Sequence, residues 1–237
     1  MGYEYKFDAE RCWYKDGHCQ YYGTPECDST CHRFLEMDYL MWASKIPPAR
    51  QTPFTLIPNN VDVPAFLRLK SIKDNITSFV AQGRSLYLFS ENTGNGKTAW
   101  GIKLLQSYFN HIWNGNRFRC RGVFVFVPKF LNDLKNDPRG KNPDFKEFLD
   151  NVIKADVVVW DDIGANKLTD YEHANLLSFI DQRRLNLQSN IYTGNLDSEK
   201  LRDYVGERLY SRIWEDSERV QLLGNSRRGT NGSGTDS

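Results

Sequence analysis

Apolar residues in this chain gather into short continuous runs, and the stretches between the runs bring them back every third or fourth position. The first pattern is that of strands and the second that of helices buried along one face. The strand-like runs fall at residues 86–89, 122–127, 156–160, 190–193 and 220–223. Helical spacing precedes the first run over residues 63–81, and behind it Ile102, Leu105, Phe109 and Ile112 continue the period. Further helices are predicted at residues 129–135, 145–155, 169–187 (with Thr169 placed to cap it), 198–204 and 207–215. Strands that are apolar throughout and alternate with helices predict an α/β fold, a buried parallel sheet with crossover helices flanking it.

Residues 1–50 have a different texture. Cys12, Cys19, Cys27 and Cys31 lie within twenty residues, with His18 and His32 each next to a cysteine and the turn formers Asp16-Gly17, Gly23 and Pro25 between them. So short a segment buries little surface, and a tetrahedral Zn²⁺ would supply the missing folding energy. The four thiolates are the simplest ligand set, and either histidine could replace one. Residues 33–42 repeat apolar side chains at helical intervals (Phe34, Met37, Leu40, Met41), a helix expected to pack on the metal module. Residues 51–62, with Pro53 and Pro58, read as a stiff linker. The expected organisation is a small cysteine-rich domain over 1–50, a linker, a main domain over 63–228 and a disordered tail over 229–237.

The chemistry concentrates where the first strand ends. Asn92-Thr93-Gly94-Asn95-Gly96-Lys97-Thr98-Ala99 joins it to a helix, the layout of a phosphate-binding loop. Phosphate oxygens need several convergent backbone N–H donors, which a glycine-containing loop and the helix N-terminus provide. Lys97 would reach the β- and γ-phosphates and the Thr98 hydroxyl would take a position on Mg²⁺. The general pattern opens with glycine five residues before Gly96, where this chain has Glu91, a carboxylate expected to point outward.

The strand at 156–160 runs into Asp161 and Asp162. Two acids ending a buried strand downstream of a phosphate loop suit magnesium nucleotide chemistry, Asp161 toward the metal and Asp162 toward the attacking water. Asn195, just past the fourth strand, is placed to sense the γ-phosphate. Arg208 and Arg212 are four apart and share a helix face. Arg117, Arg119 and Arg121 alternate before the second strand with Phe118 between them, an arrangement that could track a nucleic-acid backbone or simply protect a strand edge.

Composition narrows the classes. With 237 residues, 40% of them hydrophobic and 14% aromatic, the chain can bury a full core. A net charge of +1 gives no global pull toward nucleic acid. No run of eighteen apolar residues is present, and the charged, cysteine-bearing front end is unlike a secretory signal, so a cytoplasmic protein without membrane contact is expected.

In T-G-N-G-K-T, V-V-V-W-D-D-I-G, Y-T-G-N and G-E-R-L-Y-S-R-I, in that order, the chain resembles the AAA+ ATPases that load replicative helicases, the DnaC/DnaI group of bacteria and its phage relatives. The resemblance spans about residues 60–228, and the front end is similar to the zinc-binding, helicase-contacting domain of the DnaI branch. It implies that Lys97 and Thr98 hold phosphates and Mg²⁺, and that Asp161 and Asp162 stand where many relatives have Asp-Glu. It also implies that Asn195 is sensor 1, that Arg212 is an arginine finger offered in trans with Arg208 beside it, and that Arg228 is the sensor-2-like arginine. Only thirty-three residues separate Asn195 from Arg228, too few for a helical lid domain. The implied protein is an ATPase using ATP and Mg²⁺, self-associating head to tail and partnered by a hexameric replicative helicase and single-stranded DNA. A transposition helper ATPase of the same fold and an adaptor with negligible turnover are the alternatives. A GTPase would need a final acid after Asn166-Lys167-Leu168, where Thr169 stands, and a small-molecule kinase would need an arginine-bearing lid.

Overall fold

A computed structural model of the chain describes residues 2–15, 17, 19–115 and 118–225. Five strands form one sheet: β1 (Ser85–Phe89), β2 (Gly122–Phe126), β3 (Val157–Ile163), β4 (Ser189–Gly194) and β5 (Ser217–Gln221). They lie in the order β2-β3-β4-β1-β5, all parallel. The helices are α1 (His32–Ala43), α2 (Val63–Asp74), α3 (Ile76–Ala81), α4 (Lys97–Ile112), α5 (Val127–Asn136), α6 (Pro143–Lys154), α7 (Asp170–Leu185), α8 (Ser198–Val205) and α9 (Glu207–Tyr210).

Alternation along the strands sends apolar side chains to both faces of the sheet. Leu86, Leu88, Val157, Val159 and Ile191 join α1 to α4 in one core, and Tyr87, Phe89, Val158, Trp160 and Tyr192 join α5 to α9 in the other. Helix α4 lies flush on the sheet because Gly101 has no side chain; a Cβ there would sit 2.9 Å from Val159 Cγ1.

Several elements differ from the sequence expectation. The helix expected over 63–81 breaks at Asn75 into α2 and α3. Helix α5 begins earlier, at Val127, with Pro128 in its first turn, where a missing N–H costs nothing. Strand β3 continues past Trp160 through both aspartates to Ile163, and β5 begins at Ser217 rather than near Val220. The helix expected over 207–215 is α9 followed by a single π-helical stretch, Ser211–Glu215. Thr169 does cap α7, in a reciprocal capping box with Glu172.

The cysteine-rich front end departs most. Among the described residues no group of three or more His, Cys, Asp or Glu is placed to hold a metal ion, so the zinc site expected from Cys12, Cys19, Cys27 and Cys31 is not supported. All four are free thiols. Burial raises the pKa of Cys12, a bond from the Tyr14 N–H lowers it, and the neighbouring thiols raise it again. His18 lies outside the described residues. Aromatic packing around α1 supplies the burial that zinc was expected to replace. Tyr3 stacks edge-on against Tyr39 at 5.2 Å, Phe7 against Phe34 at 5.0 Å, and the Arg33 guanidinium covers the Tyr14 ring at 3.5 Å. Phe34, Met37, Leu40 and Met41 share one core cluster with Leu104, Leu105 and Tyr108 of α4.

One fully buried arginine ties α6, α7 and β4 together. Arg183 donates to the Val152 and Ala155 carbonyls at 2.7 and 2.8 Å, to the Ser189 carbonyl at 2.6 Å and to Asn190 Oδ1 at 2.8 Å. Burial lowers its pKa to about 9, so it remains charged at neutral pH. Arg183→Ala would remove these bonds, leaving Asn190 Oδ1 the one from Trp160 Nε1, and the unfolding free energy in urea should fall by about 3 kcal/mol or more. A loss under ~1 kcal/mol would mean that water satisfies the freed carbonyls.

Candidate functional site

The β1–α4 connection is a tight loop whose last residue, Gly96, has φ +105°, a conformation that disfavours any side chain. Gly94 is left-handed too, at φ +73°. The loop is braced from within. Asn95 donates to Ser90 Oγ and to the Leu222 carbonyl beyond β5, and the Asn92 N–H bonds Ser90 Oγ at 3.1 Å. Lys97, 8% exposed, donates to the Asn92 carbonyl at 2.8 Å and to Asn95 Oδ1 at 3.2 Å. Glu91 points away, exposed and paired with Lys200 at 3.3 Å.

The acids arrive from β3. Pairing of β3 with β4 shifts between Trp160, opposite Tyr192, and Ile163, opposite Gly194, so Asp161 and Asp162 together face Thr193. The Thr193 hydroxyl donates to Asp161 Oδ1 at 2.6 Å and accepts the Asp162 N–H at 3.1 Å. Asp162 takes φ +63°, and its Oδ1 accepts from Asn195 Nδ2 at 3.2 Å. Burial raises the pKa of Asp161; bonds from the Thr193 and Thr98 hydroxyls lower it, the Asp162 charge raises it, and Lys97 lowers it.

These residues surround one cavity of about 670 Å³, the size of a small-molecule site. Thr93, Gly94, Asn95, Gly96, Lys97, Thr98 and Ala99 line it, with Asp161, Asp162, Thr193 and Asn195, and Leu56, Ile57, Phe66 and Leu222 add apolar lining beside Asn59 and Asp62. Asn92 braces the rim instead, its amide on the Leu223 and Gly224 carbonyls. Thr193 and Ser90 are not among the residues the sequence singles out. Both sit at the tips of strands that end at the cavity, the one signal that could have found them.

Arg212 does not reach the cavity of its own chain: its Nε bonds Asp181 Oδ1 at 2.8 Å, and its other end lies 3.9 Å from Asp216. Arg208 is exposed nearby. Arg228 falls outside the described residues, as does Arg117. Arg119 and Arg121 both pair with Asp156, which offsets the charge of that stripe.

A glycine-braced loop at a helix N-terminus, facing an acidic pair and a polar residue on neighbouring parallel strands, defines a P-loop nucleotide-binding protein. The chain belongs to the IstB-like ATP-binding protein family, whose model matches residues 66–234. It is 26% identical over 160 residues to the replicative helicase loader DnaI of Bacillus subtilis (strain 168), covering 62% of this chain and 48% of that protein. The chain thus spans about half the length of the curated relative it matches. Among solved structures it is similar in fold to the DnaC helicase loader, with TM-score 0.58 and 24% identity over 71% of this chain and 93% of that one. A putative primosome component from Streptococcus pyogenes serotype M3 gives TM-score 0.59 at 18% identity, over 80% of this chain and 98% of that one. AMPPCP-bound DnaA from Aquifex aeolicus gives 0.55 at 18%, over 71% and 48%. The resemblance to DnaC/DnaI-type proteins therefore holds. Among the described residues no helix is long and apolar enough to cross a membrane.

The raised pKa of Asp161 makes a stability prediction. A carboxylate whose pKa is raised by folding contributes stability below its ordinary range, and that contribution is lost as pH rises through the raised value. At neutral pH the buried charge is a cost. Asp161→Asn should raise the melting temperature of the nucleotide-free protein at pH 7 by ~2–4 °C, about 1 kcal/mol, with the gain shrinking toward pH 4. A midpoint that is unchanged or lower at pH 7 would mean that Thr193, Thr98 and Lys97 compensate the charge in full.

Proposed function

We propose that this chain binds and hydrolyses ATP and acts in DNA replication as a loader of a replicative DNA helicase. The observation that carries the reading is the single cavity in which Lys97, Thr98, Asp161, Asp162 and Asn195 converge from three strand ends. Membership of an ATP-binding family and the similarity to the B. subtilis loader support it.

In this reading the loop N–H groups and Lys97 take the phosphates, and Lys97 exchanges its loop carbonyls for phosphate oxygens. Thr98 and Asp161, hydrogen-bonded to one another, are hard oxygen donors that fit Mg²⁺. Bound there, Mg²⁺ would offset negative charge on the phosphate oxygens. Asp162 orients the attacking water and accepts its proton, and Asn195, bonded to Asp162, registers the terminal phosphate. Arg212, remote from the cavity of its own chain, serves the site of a neighbour, which requires head-to-tail assembly. Residues 1–50, followed by the linker over 51–62, are assigned the helicase contact, and single-stranded DNA is the implied second partner. The main domain is assigned to residues 63–228.

Lys97→Ala should abolish ATP binding by calorimetry, and Asp162→Asn should retain binding while losing phosphate release measured with helicase and single-stranded DNA present. Unchanged ATP affinity in Lys97→Ala would remove the assignment. Nucleotide binding with no release above background in the wild type would favour an adaptor of negligible turnover. A pull-down that recovers a transposase and no hexameric helicase would favour the transposition helper.

The finger is tested by mixing. Arg212→Ala should bind ATP normally as an isolated chain and lose ~10³-fold or more in turnover on assembly. Mixed with Asp162→Asn, which has a finger but no competent site, it should recover part of the activity. A mixture as inactive as either variant alone, with assembly verified by light scattering, would show that Arg212 does not act in trans.

A further inference from the structure

The apolar side of the cavity is held by a carboxylate that the mechanism above does not use. Asp62 ends the 3-10 turn Asn60–Asp62 and occupies the N-cap position of α2, where an aspartate ordinarily bonds the N–H groups of its own helix. Here it makes no such bond. Only 6% exposed, it accepts the Leu223 N–H at 2.6 Å and the Gly224 N–H at 3.1 Å from each oxygen. From the opposite side Asn92 of the phosphate loop donates to the carbonyls of the same two residues, at 3.1 and 3.3 Å. The chain just past β5 is therefore clamped between the turn before α2 and the phosphate loop. Gly224 is fitted to the clamp, since a Cβ there would lie 2.4 Å from Asp62 Oδ2 and 2.6 Å from Asn59 Nδ2.

Asp62, Asn59 and Leu222 of the clamp line the cavity. Lys97, Thr98 and the two acids are polar lining, whereas Leu56, Ile57, Phe66 and Leu222 are apolar lining, with Arg50 and Asn59 also on the wall. Phosphates belong with the first group, and a base and sugar fit the second. We propose that Asp62 is a positioning residue for the nucleotide: by fixing the turn before α2 to the end of β5 it forms the seat for the base and sugar, without touching the phosphates. The proposal rests on the nucleotide reading given above.

The test is a calorimetric titration of the full chain with Mg·ATP, Mg·ADP and Mg·tripolyphosphate. The variants are Asp62→Ala, Asp62→Asn, Gly224→Ala and Lys97→Ala. Loss of charge-assisted bonds of this kind should weaken ATP and ADP by about 10-fold or more in Asp62→Ala and in Gly224→Ala, with tripolyphosphate bound as by the wild type. The two changes act on one contact, so the double variant should lose little beyond either single one. Asp62→Asn keeps an acceptor and should fall between. If Asp62→Ala fails to fold, Gly224→Ala and Asp62→Asn decide the question by the same ratio. Wild-type ATP affinity in these variants, or an equal loss of ATP and tripolyphosphate, would overturn the proposal. Should Lys97→Ala alone lose both ligands while the Asp62 variants match the wild type, the nucleotide reading stands and only the clamp is refuted. A wild-type chain that binds neither ligand refutes both.

Discussion

A single hydroxyl, that of Thr193, holds both acids of the site, and it can do so only because β3 carries one residue more than β4 at that point. Consecutive residues of a regular strand point to opposite faces, so Asp161 and Asp162 could not otherwise serve one cavity. The extra residue and the left-handed backbone of Asp162 break that alternation. Left-handed backbone is uncommon for a residue other than glycine, and aspartate is among those that tolerate it best. Strained conformations of this kind persist where the surroundings over-determine them. Here the surroundings are the Thr193 hydroxyl on the Asp162 N–H and the Asn195 amide on its carboxylate.

That local irregularity is tolerable because the sheet is regular everywhere else. Five parallel strands deliver all their C-terminal ends to one edge, where loops can diverge to form a crevice. Two further polar networks that tie elements together lie at the opposite edge. Arg183 gathers the end of α6 and the start of β4, and Asp156, just before β3, receives Tyr108, Arg119 and Arg121. The charges of these two networks are thus spent at the beginnings of the strands. Asp161 and Asp162 stand at their ends and line the cavity.

The sequence made the sheet legible because buried parallel strands are apolar on both faces and cannot be mistaken for amphipathic ones. Lys97, Thr98, Asp161, Asp162 and Asn195 were legible for a related reason: each follows directly on such a strand or its loop, so finding the strand finds the residue. What was not legible depends on register. No local pattern announces that two residues of β3 face one of β4, and Thr193 therefore looked like an ordinary strand residue. Asp62 caps no N–H of the helix that it precedes, and only the tertiary fold turns it toward Leu223 and Gly224. Four thiols in a short segment suggest that folding energy is lacking, and the zinc site expected from them finds no support among the described residues. The rings of Tyr3, Phe7, Phe34 and Tyr39 supply contacts that cysteine spacing does not encode.

Both cations assigned to phosphate chemistry already have partners in the nucleotide-free chain. Lys97 is folded onto the Asn92 carbonyl and the Asn95 amide, and Arg212 is paired with Asp181 and lies close to Asp216. A phosphate therefore does not meet a bare charge; it displaces a weaker partner, and the free energy of binding is the difference between the two arrangements. The bonds of Lys97 to the Asn92 carbonyl and Asn95 Oδ1 are to neutral dipoles, and a polyanion wins the exchange for those readily. For Arg212 the partners are carboxylates, and Arg184, 2.6 Å from Asp216 and 3.7 Å from Asp181, is placed to keep both acids partnered when Arg212 leaves. In the proposed trans role Arg212 would be traded out of an ion pair with a second arginine ready to take its place, which would leave no uncompensated carboxylate behind and lower the cost of presenting it to a neighbouring site.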